Sequence, residues 1–372
     1  RKAYPNVNVK IKIITAGGTA GTWAQYSDTI TTWIAGGQTP DIVWMATEGL
    51  RVFASKGLLE PLDAYITRDR AELAAYFADL PPVVFNKWDK LMSPDGHRYQ
   101  LPTEFNTTCI WYNAKVFREA GVPLPKPNWT WNDFYQTAKK LTKPGKVFGF
   151  QATNAQFFGI MPWLLTNGAS TMNANWTKAT VASPRAVEAA KFMRSLVAQG
   201  ISPKPGGQFD PYAAMAQGKL AMFAGGWWPL FPMRSLGVLN ELGIAPWPRK
   251  VAQASPIGWN MFPIFKASRN KEAAWAFAKF MTTKNVSYYI SSHGNTLPLR
   301  RSVARMHGIL DAGPKGSHYV YDILPRATVT PSPSKGSIIQ TDLENTFAQI
   351  LAGNVDIAKA LRQLNQRMQS NL

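Results

Sequence analysis

The sequence predicts an α/β protein of two domains, on three observations. At 372 residues the chain exceeds what one hydrophobic core usually fills, so a division into two is expected. Hydrophobic residues make up 45% of it and aromatic residues 12%, the balance of a packed chain rather than a disordered one. Short β-branched or apolar runs alternate with capped amphipathic stretches, the pattern of strands feeding helices.

Residues 7–14 (VNVKIKII) read as the first strand. The glycine-rich TAGGTAG of residues 15–21 follows. No Lys-Ser/Thr pair closes it and its spacing is not G-x-G-x-x-G, so it is read as a flexible loop open to a ligand, not a phosphate cradle. Residues 27–35 form a helix stopped by Gly36 and Gly37. TPDIVWM then gives a short strand after Pro40, and a helix through Leu50, Phe53 and Ala54 ends at Gly57.

The stretch 101–141 organises the middle of the chain. TTCIWY at 107–112 is β-branched and aromatic with no charge, as a buried strand should be. Asn113 suits the N-cap of a helix with Val116, Phe117 and Ala120 on one side, and Gly121 can end it in a left-handed turn. Pro123, Pro125 and Pro127 forbid helix until Thr130, which with Asp133 makes a capping-box start. Phe134, Ala138 and Leu141 then share one apolar face.

Farther on, residues 146–150 read as a strand. Ser183, Pro184 and Gly200 bound a helix with Val187, Ala190, Met193, Leu196 and Val197 inward. Residues 212–228 run helix, strand and a Gly-Gly-Trp-Trp turn, and 258–265 turn the chain back. A helix over 270–282 carries Ala274, Phe277, Ala278 and Met281 on one side, and amphipathic helices at 341–351 and 357–368 close the sequence. No stretch reaches the ~20 apolar residues of a membrane helix, and Arg1 opens on a strand-like run rather than a signal peptide.

Composition narrows the function classes. The 41 Lys and Arg against 22 Asp and Glu give +19, which favours anionic surroundings. The bases are scattered, however, with mild clusters only at 139–146 and 300–305 and none interleaved with stacking aromatics, so no nucleic-acid partner is expected. Cys109 is the lone cysteine and reads as a core residue. His97, His293, His307 and His318 fall in polar surroundings without metal-ligand spacing, and neither H-E-x-x-H nor G-x-S-x-G occurs. No metal, no cofactor and no catalysis are therefore expected. Glu48 and Glu104 keep open a carboxylate-pair hydrolase acting on carbohydrate.

The block YNAKVFREAG, prolines and TWNDFYQTAKKLT resembles the extracellular solute-binding proteins of ABC importers, the family-1, maltose-binding-protein-like type that mostly bind sugars. Further blocks in matching order are Gly36–Gly37, PDIVWM, GLLEPLD at 57–63, GKLAM with Gly-x-Trp in 218–227, and NTLPLRR at 295–301. The resemblance implies a two-lobed periplasmic-binding-protein fold of type II, central sheets flanked by helices, with the ligand cleft between lobes. It implies an N-terminal lobe of 1–107 and 262–310, a C-terminal lobe of 108–261 and 311–372, and crossings near 105–111, 257–261 and 301–315. The family normally begins with a further strand and helix ahead of the piece that residues 4–14 resemble. An exported monomer, periplasmic or lipid-anchored, is implied, with a carbohydrate ligand and membrane permease subunits as partners.

Sugars pack their C–H faces on aromatic rings and bond their hydroxyl rims to acids and amides. Carried onto this chain, the resemblance points to Trp44, Thr47 and Glu48 after the PDIV strand, Glu104 and Asn106 before the hinge, and Trp163, Trp227 and Trp228 in the second lobe. Trp259 and Asn260 stand at the return crossing. Trp227→Ala is expected to abolish ligand-induced stabilisation and leave the fold intact. Acids at these positions suit a neutral oligosaccharide or polyol, and an anionic sugar such as a uronate or sugar phosphate is the alternative.

Overall fold

Two sheets organise the residues described in the computed structural model, 4–14, 23–82, 84, 89–93, 95–205, 209–294 and 296–372. The strands are β1 (Met45–Ala46), β2 (Pro102–Thr107), β3 (Cys109–Asn113), β4 (Met222–Gly225), β5 (Leu242–Ala245), β6 (Ser255–Met261), β7 (Leu297–Pro298) and β8 (Ala327–Val329). A five-stranded sheet runs β1-β6-β2-β7, with β8 joining β6 in parallel. A three-stranded antiparallel sheet runs β4-β3-β5.

The TTCIWY stretch does not make one strand. Thr107 ends β2 in the first sheet and Cys109 starts β3 in the second, so Thr108 alone connects them. Ser255, where β6 begins, holds this crossing. Its hydroxyl oxygen accepts from the Thr108 N–H at 2.9 Å, and the Trp247 indole donates to the Thr108 hydroxyl at 2.9 Å.

The helices follow their sequence caps. Asn113 accepts from the N–H groups of Lys115 and Val116, and Thr130 with Asp133 completes a capping box for Trp131–Leu141. Ser183 caps Pro184–Ala198, and Gly121 closes the helix Ala114–Glu119 at a φ of 63°, which a side chain would resist. Helix Thr47–Ala54 packs on β6. Helix Gly336–Ala352 lies against Trp23–Ala35 and Thr47–Ala54 of the first lobe, and against Pro184–Ala198 and Ile357–Ser370 of the second.

Four expectations are corrected. Residues 7–14 have the strand pattern, but no ladder pairs them among the described residues, and Val9, Ile11 and Ile13 are exposed. Residues 146–150 form only isolated bridges, Lys143 with Val147 and Phe148 with Leu220. The return crossing precedes 257–261, since β5 ends at Ala245 in one sheet and β6 starts at Ser255 in the other. Residues 327–329, expected in the second lobe, pair as β8 with β6 in the first sheet. The loop at 15–21 lies outside the described residues, as does Asn295 of the NTLPLRR turn.

Candidate functional site

The pleat of two paired strands builds the candidate site. In the β2–β6 ladder Glu104 faces Asn260 and Asn106 faces Gly258. Directly opposed residues share a face and alternate residues share a side, so these four project together. Phe105 and Trp259, one position away on each strand, project into the core, both almost fully buried. The Trp259 indole is committed there to Gln100, at 2.8 Å.

Two sequence-predicted groups close on this face from the first lobe. The Trp44 indole N–H donates to Glu104 Oε1 at 3.1 Å, and the Thr47 hydroxyl donates to Glu48 Oε2 at 2.9 Å. Gly258 makes room for them. A Cβ there would stand 3.0 Å from Thr47 Oγ1, 3.8 Å from Glu48 Oε2 and 3.6 Å from Cε2 of Phe157, a second-lobe ring.

The second lobe reaches the same face through the turn after β4. Asn106 Oδ1 accepts from the Trp227 backbone N–H at 2.8 Å, a bond between a residue of one sheet and the turn leaving the other. The half-buried Trp228 ring folds over Gly226, where a Cβ would meet it at 2.2 Å and Asn106 Oδ1 at 2.8 Å. Phe157 and Phe158 pack beside Trp228, with centroids at 6.2 and 5.5 Å. The structure therefore brings Trp44, Thr47, Glu48, Glu104, Asn106, Trp228 and Asn260 to one place.

Three predicted aromatics lie elsewhere. Trp163 is fully buried in the second lobe, ringed by Trp131, Phe134, Phe150, Phe192 and Trp247 at 4.9–6.0 Å. Trp227 is also fully buried, its indole donating to the Ser291 carbonyl at 3.4 Å. Trp259 is the core-side neighbour of Asn260. In each case the ring is consumed by packing, the common fate of tryptophan inside a lobe.

The site is acidic. Burial pushes the Glu48 carboxyl above its ordinary range, and the charge of Glu344 adds to the rise. Burial likewise raises Glu104 against the hydrogen bonds from Thr103, Trp44 and Asn260, and raises Glu344. Glu344 Oε1 accepts from the Gln156 N–H at 3.0 Å, which sets the turn carrying Phe157. Sequence reasoning missed Phe157 and Glu344. A Phe-Phe pair beside Gly159 and a lone acid between Leu343 and Phe347 were the available signs.

Among the described residues no cluster of three or more His, Cys, Asp or Glu could hold a metal ion. Cys109 is buried in β3, where desolvation raises its thiol far above reactive values. No helix among the described residues is long and apolar enough to cross a membrane.

Residues 1–286 match the family described as bacterial extracellular solute-binding protein. A putative binding protein of Brucella abortus is 26% identical over 304 residues, 76% of this chain and 68% of the relative. A maltotriose-binding protein of Pyrococcus abyssi is 25% identical over 258 residues, 67% of this chain and 52% of its own. An ABC substrate-binding protein of Listeria monocytogenes, solved in complex with cycloalternan, superposes with a TM-score of 0.82 at 26% identity, covering 93% of this chain and 88% of that one. The maltose-bound MalE3 of T. maritima shares the two-lobed fold, with a TM-score of 0.84 at 19% identity over 100% of this chain and 93% of its own. The chain belongs to the bacterial extracellular solute-binding proteins.

Proposed function

We propose that the chain is the carbohydrate-capturing component of an ABC importer, closing two lobes on a neutral oligosaccharide or polyol and presenting the closed form to membrane permease subunits. It acts as an exported monomer, periplasmic or lipid-anchored, without nucleic acid, and binding involves no covalent step. One observation carries the reading: the β2–β6 face that pairs Glu104 with Asn260 and Asn106 with Gly258 has the Trp44 indole bonded to Glu104, Glu48 close to Gly258, and the Trp228 ring close to Asn106 across Gly226. Acids and amides serve hydroxyl rims, and aromatic rings serve C–H faces. Relatives whose ligands are maltotriose and arabino-oligosaccharides support the same class. No ion pair joins Glu48, Glu104 or Glu344 to a base among the described residues, and acids so placed disfavour uronates and sugar phosphates by like-charge repulsion.

Lobe closure around a ligand is hinge motion of the kind known for periplasmic binding proteins. The lobes divide at Thr108 and between Ala245 and Ser255, with Ala327–Val329 returning to the first sheet. The test is a thermal-shift screen with maltotriose, laminaribiose, arabinotriose, galacturonate and glucose phosphate. A neutral sugar at a hundred times its Kd stabilises by about 2.7 kcal/mol. If no sugar shifts unfolding at millimolar concentration, the reading is wrong; a shift from galacturonate or glucose phosphate alone replaces it with the anionic alternative.

A further inference from the structure

Glu104 and Glu48 are both acids of the cleft, but their surroundings differ. Glu104 is 3% exposed, and its carboxyl is bonded to the Trp44 indole and to groups of Thr103 and Asn260. Glu48 is half-buried, with Thr47 as its side-chain donor. Trp44, by contrast, is 42% exposed, unusual for so large an apolar surface. An exposed indole normally samples several rotamers, and fixing it would cost the ligand binding affinity.

Trp44 is already fixed. Glu104 takes its N–H at 3.1 Å, the Tyr26 hydroxyl donates to its carbonyl at 2.6 Å, and the Trp23 ring lies 5.3 Å away at 57°. Trp23 is itself held edge-on by Tyr26 at 5.3 Å. The Glu104 side-chain oxygen gives the exposed indole a buried acceptor that solvent does not supply.

From this geometry we infer that Glu104 is a positioning residue that acts on the ligand through Trp44, and that Trp44, braced by Trp23 and Tyr26, is the stacking platform of the first lobe. The stacking half rests on the carbohydrate reading above; the tether between Glu104 and Trp44 stands without it.

The test separates the two. In the ligand-free protein, the Trp44 indole N–H resonance, assigned by its loss in Trp44→Phe, is expected to exchange slowly with solvent. Glu104→Ala should make that exchange fast, and Glu104→Gln, which keeps an acceptor oxygen and the side-chain volume, should leave it slow. With maltotriose, laminaribiose or arabinotriose, whichever the thermal screen selects, Glu104→Ala should weaken binding about tenfold when Trp44 is present. In a Trp44→Phe background it should weaken binding less than about twofold, because the two act as one unit. Equal weakening in both backgrounds means that Glu104 meets the sugar directly, and unchanged exchange in Glu104→Ala means that it does not hold the ring; either result overturns the inference. If Glu104→Ala does not fold, the same comparison with Glu104→Leu and Glu104→Gln decides it. If no sugar binds the wild type, the carbohydrate reading and the platform fall together, and the exchange measurement still decides the tether.

Discussion

The guanidinium carbon of Arg51 lies 5.4 Å from the centroid of the Trp176 ring, joining a helix of the first lobe to a turn of the second. Trp176 is the one non-glycine among the described residues with a positive φ, 57°. Asn173 shapes that turn, its side-chain oxygen accepting from the N–H groups of Thr177 and Lys178, and Gln369 fastens it to the last helix. Such backbone strain, about 1–2 kcal/mol, persists where surrounding contacts over-determine it. The cation–π contact should couple the two side chains by about 0.5–1 kcal/mol. In urea unfolding, Arg51→Met is expected to destabilise the wild type by that amount and a Trp176→Ala variant not at all; equal losses in both would refute the contact.

Glu48 makes stability depend on pH. Its folded carboxyl is raised, so the folded state holds more protons than the unfolded state once pH exceeds the ordinary value of 4.5. The associated stability is present in full below that value and is lost as pH rises through the raised one. Glu48→Gln, permanently neutral, should therefore unfold at a higher temperature than wild type at pH 7 and at an equal temperature near pH 4. It should also weaken sugar binding. A difference in unfolding temperature that is the same at both pH values would sink the explanation.

Arg300 was part of a basic cluster in sequence, but it is a buried ion-pair partner. It donates to Asp79 at 2.9 Å and to the Thr282 carbonyl at 2.9 Å, and Asp79 also accepts from Ser302. Burial alone would raise the Asp79 carboxyl, but the bonds from Ser302 and Arg300 outweigh it and hold it low. Its contribution is present above pH 3.8 and fades as pH falls through the lowered value. Arg300→Met leaves the carboxylate uncompensated and should cost about 3 kcal/mol in urea unfolding at pH 7. A loss below about 1 kcal/mol would show that water replaces the guanidinium.

Gly226 is a steric requirement of the site. A methyl group there would lie 2.2 Å from the Trp228 ring. Gly226→Ala should displace that ring, cost about 1–3 kcal/mol by overpacking, and remove the near-ultraviolet circular dichroism of a fixed indole. An unchanged spectrum with unchanged stability would mean that the ring has room to yield.

Much of the scaffold was legible because its causes are local. Asn113, Thr130 with Asp133, Ser183 and Gly121 each act within a few residues of themselves, and each does in the structure what its type and position imply. The aromatic site residues were less legible, because exposure is decided by neighbours remote in sequence. Trp259 and Asn260 were taken together, yet adjacent strand residues point to opposite faces, and only the register with β2 says which one turns inward. Trp227 and Trp228 divide as well, but on the turn after β4, where the first ring is buried and the second half-buried. Trp227→Ala consequently strikes the core, with an expected loss of about 3–5 kcal/mol, and Trp228→Ala is the variant suited to testing the site. Residues 7–14 fail for a further reason: alternation defines a strand's faces but supplies no neighbour for its backbone.

Thr108 sets how the two sheets can move. One residue separates β2 from β3, and its amide and hydroxyl are tied to Ser255 and Trp247. Any swing of one sheet against the other therefore turns backbone torsions at Thr108, two residues from Asn106 and four from Glu104 on the candidate face.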